Sequence, residues 1–401
     1  MRDTLIKSWI IALALLPGIA GAQSSRDEAW RWCARQDASI SREPQIVACT
    51  WLIDASRETQ ENLAATYNSR GVARAAQGDR RSAIADYTEA IRINPQYAQA
   101  FNNRGAARAA QGDRVGAITD YNEAIRINPQ YAQAFNNRGA ARAGQGDRVG
   151  AITDYTEAIR INPEYAHPFN NRGSARAGQG DREGAIVDYN EAIRLNPRNA
   201  NTFNNRGLAR AGQGVRAGAI ADYTEAIRLN PQFFNAFYNR ARVRDAQGDR
   251  VSSIADYTEA IRLNPQFALA YNNRGAARSW QGDSAGAIAD YSEAIRLNSQ
   301  DANTFNNRGL ARAGLGDRAG AIADYTEAIR LNPQYAQAFN NRGFSRAALK
   351  DFTGAIADYN EAIRLDPKNA DAFNNRADAR SALGDHAGAT ADFREALRID
   401  R

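Results

Sequence analysis

Residues 98–131 read AQAFNNRGAARAAQGDRVGAITDYNEAIRINPQY, and this stretch decides the fold. Its aromatic Phe101 recurs at a step of 34 residues, as Tyr67, Phe135, Phe169, Phe203, Phe237, Tyr271, Phe305, Phe339 and Phe373. Ten copies therefore run from Ala64 to Arg401 without an insertion, covering 338 of the 401 residues. Each copy reads as two helices. The first spans about Ala100 to Ala110 and stops at Gln111-Gly112-Asp113, because glycine readily takes the backbone that ends a helix. The second spans about Arg114 to Ile127, and Asn128-Pro129 ends it because proline cannot continue a helix. Ala117, Ile118, Tyr121, Ala124 and Ile125 form its buried stripe at helical spacing.

The order Phe101, Gly105, Ala117, Tyr121, Ala124 and Pro129 resembles the tetratricopeptide repeat. The resemblance implies an all-α, right-handed superhelical solenoid of ten helix-turn-helix repeats. First helices would line its concave face and second helices its convex face. One repeat cannot bury its own apolar stripe, so stability comes from stacked neighbours. Two positions depart from the family pattern. Arg104 stands where the family usually has Leu, and Arg108 where it usually has Tyr.

Five charged columns hold in all ten copies, those of Arg104, Arg108, Asp120, Glu123 and Arg126. Arg104 and Arg108 share one helix face, and Asp120, Glu123 and Arg126 follow one another at a step of three. This spacing predicts a repeating ion-pair ladder between the helix layers, since the arginine fork can grip a carboxylate with two hydrogen bonds. The competing reading is an anion-binding surface, which needs arginines free of acidic partners.

An asparagine recurs as Asn103, Asn137, Asn171, Asn205, Asn239, Asn273, Asn307, Asn341 and Asn375, with Ser69 the one exception. Asparagine is a mediocre helix former, and its amide both donates and accepts. The array looks like tetratricopeptide domains whose inward asparagine ladder grips the backbone of an extended peptide. The alternative is that Asn was copied with a duplicated unit. The family's basic clamp for a terminal carboxylate is missing, because its places carry Asn, Gln and Ala.

Departures gather in the sixth copy. Tyr238, Arg242 and Asp245 lie on one helical face, and Trp280, the array's only tryptophan, stands on the next first helix. Phe233 and Phe234 lie just before them. Such a set resembles an interface hot spot, in which Trp, Tyr and Arg dominate. The bland alternative is drift, with Arg242 and Asp245 pairing by proximity. Val215, Ser299, Phe352 and His386 read as tolerated variation.

The front of the chain has its own organisation. Residues 1–22 read as a secretory signal: basic Arg2 and Lys7, the apolar run SWIIALALL, then Ala20-Gly21-Ala22 before cleavage. The apolar run is too short for a membrane span. Residues 23–63 read as a capping segment, with Ile46–Ile53 a degenerate second helix and Trp30, Trp32 and Trp51 covering the core. In an oxidising compartment Cys33 and Cys49, the only cysteines, form a disulfide candidate.

Two histidines and two cysteines exclude most metal sites, and no nucleotide-loop, nucleophile-elbow or zinc-protease motif occurs. The chain is expected to be non-catalytic, without cofactor or metal. The leading expectation is a periplasmic or secreted scaffold that binds a protein or extended peptide in its concave groove. One alternative is head-to-tail self-assembly through the final helix. The other is polyanion binding, although a net charge of +6 over 51 basic and 45 acidic residues leaves most charges able to pair.

Overall fold

The computed structural model describes residues 19–34, 42–55 and 58–399. These residues form 22 helices, and no strand occurs among them. Two helices precede the repeats, α1 (Ile19–Cys33) and α2 (Glu43–Asp54). Ten helix pairs follow, from α3 (Gln60–Ala76) with α4 (Arg80–Ile93) to α21 (Ala370–Ala382) with α22 (His386–Ile399). The expected leader falls largely outside the described residues, and the expected cleavage point after Ala22 falls within α1.

By contacts the chain divides into two units, Met1–Arg198 and Asn199–Arg401. The first holds α1, α2 and four repeats, and the second holds six. In each, a first helix packs on its own second helix, which packs on the next first helix. Neighbouring first helices also touch, whereas neighbouring second helices do not. The first helices therefore sit on the more tightly curved side of each stack.

The second repeat shows why the sequence folds this way. Its first helix, α5, runs Ala98–Ala110 and so begins two residues earlier than expected. It ends where Gly112 adopts φ +90°. There the Gly112 and Asp113 amides donate to the Ala109 and Arg108 carbonyls, satisfying the helix end. The second helix, α6, runs Arg114–Ile127 as expected. Asp113 caps it, its Oδ1 accepting from the Gly116 amide at 2.9 Å. Lys350 stands in the glycine position of the ninth repeat at φ +66°.

The core between the two helices is narrow. Ala117, Tyr121 and Ala124 are buried. Gly105 lies so close to the Tyr121 ring that a Cβ there would meet Cε1 at 2.7 Å. This approach explains the glycine in eight repeats, and Ala241 and Ala377 fill the place in the sixth and tenth.

At the front, the Cys33–Cys49 disulfide joins α1 to α2, and both cysteines are buried with Ala29 and Leu52. Trp30 and Trp51 pack against this cluster. Arg26 donates to the buried Glu58 carboxylate through Nε at 2.8 Å and Nη2 at 3.0 Å. These bonds hold the Glu58 carboxyl below its ordinary range. At the far end Phe393 is 40% exposed, although its equivalent in the preceding repeat, Tyr359, is 1% exposed.

Candidate functional site

The charged columns resolve first. Arg104 grips Asp120 with Nε and Nη2, the shortest contact being 2.7 Å, and Arg108 reaches the same carboxylate at 2.9 Å. The Asp120 side chain is 2% exposed. Both arginines thus compensate one buried charge, and the arrangement recurs in all ten repeats, to Arg376, Arg380 and Asp392. The residues that depart from the family pattern are the two that hold this aspartate. The aliphatic part of Arg104 also brings its guanidinium carbon 5.5 Å from the Phe101 ring centroid. Glu123 and Arg126 pair along their own exposed helix, not between layers.

A further partner was not expected. The outer nitrogen of Arg104 donates to Thr88 Oγ1 of the preceding repeat, and Arg138 donates likewise to Asn122. One guanidinium therefore closes its own repeat and ties it to its neighbour. The signal lay in the sequence: nine of ten residues in this column are Thr, Asn or Ser, and the last is Arg394.

The asparagines form a ladder within each unit. Asn103 Nδ2 donates to Asn68 Oδ1, Asn137 to Asn102 and Asn171 to Asn136, each at 3.0 Å. In the second unit Asn239, Asn341 and Asn375 donate in the same way to Asn204, Asn306 and Asn340. Asn307 reaches Asn272 at 3.5 Å, and Asn205 is engaged as well. The first asparagine of each pair is the acceptor, and Asn102 is buried. The ladder thus fastens first helix to first helix. Each amide has four hydrogen-bonding sites, so those of the half-buried Asn103 column keep capacity beyond this bond.

In the sixth repeat Tyr238 replaces the accepting asparagine. Its hydroxyl takes over the role, accepting from Asn273 Nδ2 at 3.1 Å. The Tyr238 ring packs 4.7 Å from Phe267 and 5.9 Å from Tyr257, centroid to centroid, and Phe234 meets Phe267 edge-on. Burial pushes the Tyr238 and Tyr257 hydroxyls up, and the negative charge of Asp245 adds to this at Tyr257. Both phenols remain neutral hydrogen-bonding groups at ordinary pH.

The four singled-out residues fall into two groups, Tyr238 with Arg242, and Asp245 with Trp280 joined through Arg250. The exposed Arg242 guanidinium lies 5.9 Å from the Tyr238 centroid. The Arg250 guanidinium lies 5.8 Å from Trp280, which is 78% exposed. Asp245 links to the second pair: Arg250 Nε is 3.4 Å from its Oδ1, and Arg250 Nη1 donates to its carbonyl at 2.6 Å. The expected Arg242–Asp245 pairing is therefore replaced by Arg250–Asp245. Arg242 has no carboxylate partner among the described residues. Sequence reasoning missed Tyr257 and Asn273 because their columns barely vary, and Arg250 and Phe267 because the same residue types recur in other copies. The patch offers a free guanidinium, a carboxylate and two aromatic faces, which suits recognition of a mixed polar and apolar side-chain set.

No group of three metal-ligating side chains occurs among the described residues, and no helix there is long and apolar enough to cross a membrane. Comparison with curated proteins gives no match. Among solved structures, pilF of Pseudomonas aeruginosa is 18% identical, with a TM-score of 0.50 over 55% of this chain and 99% of its own. A tetratricopeptide repeat protein from Parabacteroides merdae is 21% identical, with a TM-score of 0.46 over 62% of this chain and 99% of its own. YrrB, described as a TPR protein with an unusual peptide-binding site, is 20% identical, with a TM-score of 0.39 over 46% of this chain and 95% of its own. At these identities the likeness concerns the fold alone. The family profile described as "TPR repeat" matches residues 71–112, 109–146, 175–214, 280–316 and 345–384. That described as "Tetratricopeptide repeat" matches residues 302–335 and 370–401. With its helix pairs, its Gly105–Tyr121 contacts and profile matches over more than half its length, the chain belongs to the tetratricopeptide repeat family.

Proposed function

We propose that this protein is a non-catalytic scaffold of the bacterial cell envelope that holds a protein or extended peptide on its first-helix face. The carrying observation is the patch around Tyr238, where Arg242 is exposed without a carboxylate and Trp280 is 78% exposed. In an array of near-copies this is the place with singular chemistry. Large exposed aromatics beside a free arginine are the groups that dominate interface energies. The half-buried asparagine amides would add sequence-independent contacts to a peptide backbone. Export, after cleavage at Ala22, is supported by the leader pattern and by the paired Cys33 and Cys49, since disulfides persist in oxidising compartments.

The test is affinity capture from periplasmic and secreted extract, with the wild type beside an Arg242→Ala/Trp280→Ala variant. Both side chains are exposed, so the variant retains its core. A partner held by the wild type and lost by the variant supports the reading. A partner held equally by both moves the site to the asparagine ladder. Capture of no partner by either protein overturns the scaffold reading. A second reading, association between copies, draws on the exposed Phe393 and Leu397 of the last helix. A mass in light scattering that rises with concentration in the wild type, and is constant in Phe393→Ser/Leu397→Ser, would favour it.

A further inference from the structure

In the first four repeats the ion pairs leave an arginine at the start of the second helix unaccounted for. In the second repeat Arg104 and Arg108 share Asp120, and Arg126 is matched by Glu123. The capping aspartate stands next to the Arg108 column: Arg142 lies 4.0 Å from Asp147, and Arg176 lies 3.9 Å from Asp181. Arg104, Arg108, Asp120 and Asp113 therefore form a neutral set. Arg114 remains. It is exposed, and its side chain makes no hydrogen bond or ion pair among the described residues. The same holds for Arg80, Arg148 and Arg182, each the first residue of a second helix in the unit Met1–Arg198.

Their environment keeps them open. A Cβ on Gly144 would come 2.7 Å from Arg114 Nε, and one on Gly178 would come 3.0 Å from Arg148 Nε. Arg114 and Arg148 therefore extend over the bare ends of the next first helices. The negative pole of each such helix helps place the guanidinium without neutralising it. Beside two of the arginines stand exposed aliphatic groups, Val115 at 71% and Val149 at 70% exposure.

We propose that the edge carrying Arg80, Arg114, Arg148 and Arg182 is a docking surface for an extended acidic segment of a protein partner. The inference deepens the scaffold reading and rests on it. Directly packed helices lie about 8–10 Å apart, and the successive second helices that carry these arginines, which do not touch one another, stand farther apart than that. An extended chain rises about 3.3 Å per residue, so carboxylates about four residues apart reach successive arginines. The planar guanidinium suits a carboxylate, with which it forms paired hydrogen bonds. Exposed valines favour a peptide with small apolar residues between its acids. A single-stranded nucleic acid would want aromatic platforms, and the positions beneath Arg114 and Arg148 are Gly144 and Gly178.

The experiment measures binding of the full chain to a labelled peptide of roughly 15 residues, with Glu at every fourth position and Val and Ala between. Its Gln-for-Glu counterpart and an oligothymidylate of similar length serve as comparisons. The Glu peptide should bind at least tenfold more tightly than the Gln peptide, and the oligothymidylate should compete poorly. Replacing all four arginines by Gln removes four exposed pairs and should weaken binding about tenfold to a hundredfold. Replacing them by Lys should retain most of it. Melting curves of both variants verify the fold. Equal binding of the two peptides, unchanged binding by the Gln variant or preference for the oligothymidylate would overturn the proposal. Glu-peptide binding that survives the Gln variant but is lost in Arg242→Ala/Trp280→Ala overturns this edge and leaves the scaffold reading standing.

Discussion

The fifth repeat lacks a helix cap, and Val215→Asp should restore it. Val215 begins the helix Arg216–Leu229 without a side-chain bond, where the other nine repeats carry Asp. Its backbone is already in place: φ −80° and ψ 69°, against −77° and 74° at Asp113. The substitution therefore needs no rearrangement. Val215 is 49% exposed, so little apolar burial is lost. At Asp113 the gain is a bond of 2.9 Å to the Gly116 amide, a group otherwise unsatisfied at a helix start. Such caps contribute about 1 kcal/mol, with a range of roughly 0.5–2. The negative charge at the positive helix pole adds about 0.3–1 kcal/mol at low salt. Val215→Asp should thus stabilise the second unit by about 1–2 kcal/mol, and Asp113→Val should destabilise the first by a similar amount. Urea denaturation of the full chain, with amide exchange across residues 216–229, reads both the global and the local effect. A neutral or destabilising Val215→Asp, in a helix whose exchange is unchanged, would refute the capping argument.

Three other outcomes follow from the same geometry. Lys350→Gly should stabilise the ninth repeat by about 0.5–1 kcal/mol in denaturant titration, because a lysine at φ +66° bears a steric cost that glycine does not. Asp120→Asn should destabilise by about 3 kcal/mol, since it strands two guanidiniums on one buried neutral group; a loss near zero would mean that the pair behaves as a surface pair. Glu58 is held below its ordinary carboxyl value of 4.5, so its stabilisation is complete above that pH and fades as the pH falls through the lowered value. In Glu58→Gln the tryptophan fluorescence of the front segment should lose that acid-side transition, whereas an unchanged acid profile would show that the Arg26–Glu58 pair is not its cause.

The repeat length, the two helices and their ends were legible because their causes are local. A glycine at the turn, an aspartate cap and an Asn-Pro stop act within a few residues of themselves. The buried stripe was legible for the same reason, since apolar periodicity marks a helix face wherever the helix packs. Two helix starts were misplaced, Ala98 for Ala100 and Glu43 for Ile46, and both lie where a helix begins without a side-chain cap.

The sequence by itself determined that this is an array of copied helix pairs, that Arg104, Arg108 and Asp120 belong together, and that the sixth repeat differs. Only the tertiary structure decided the partners. It put two arginines on one aspartate, sent the outer nitrogen of Arg104 to Thr88, and spent the asparagine amides on fastening neighbouring helices. It exchanged Arg242 for Arg250 as the partner of Asp245, and it left Arg80, Arg114, Arg148 and Arg182 as the surplus charge of the first four repeats. The physical reason is that a side chain's partner across helices is set by packing between residues 12 to 35 positions apart. A repeated sequence lists the same candidate partners in every copy, and geometry alone selects among them.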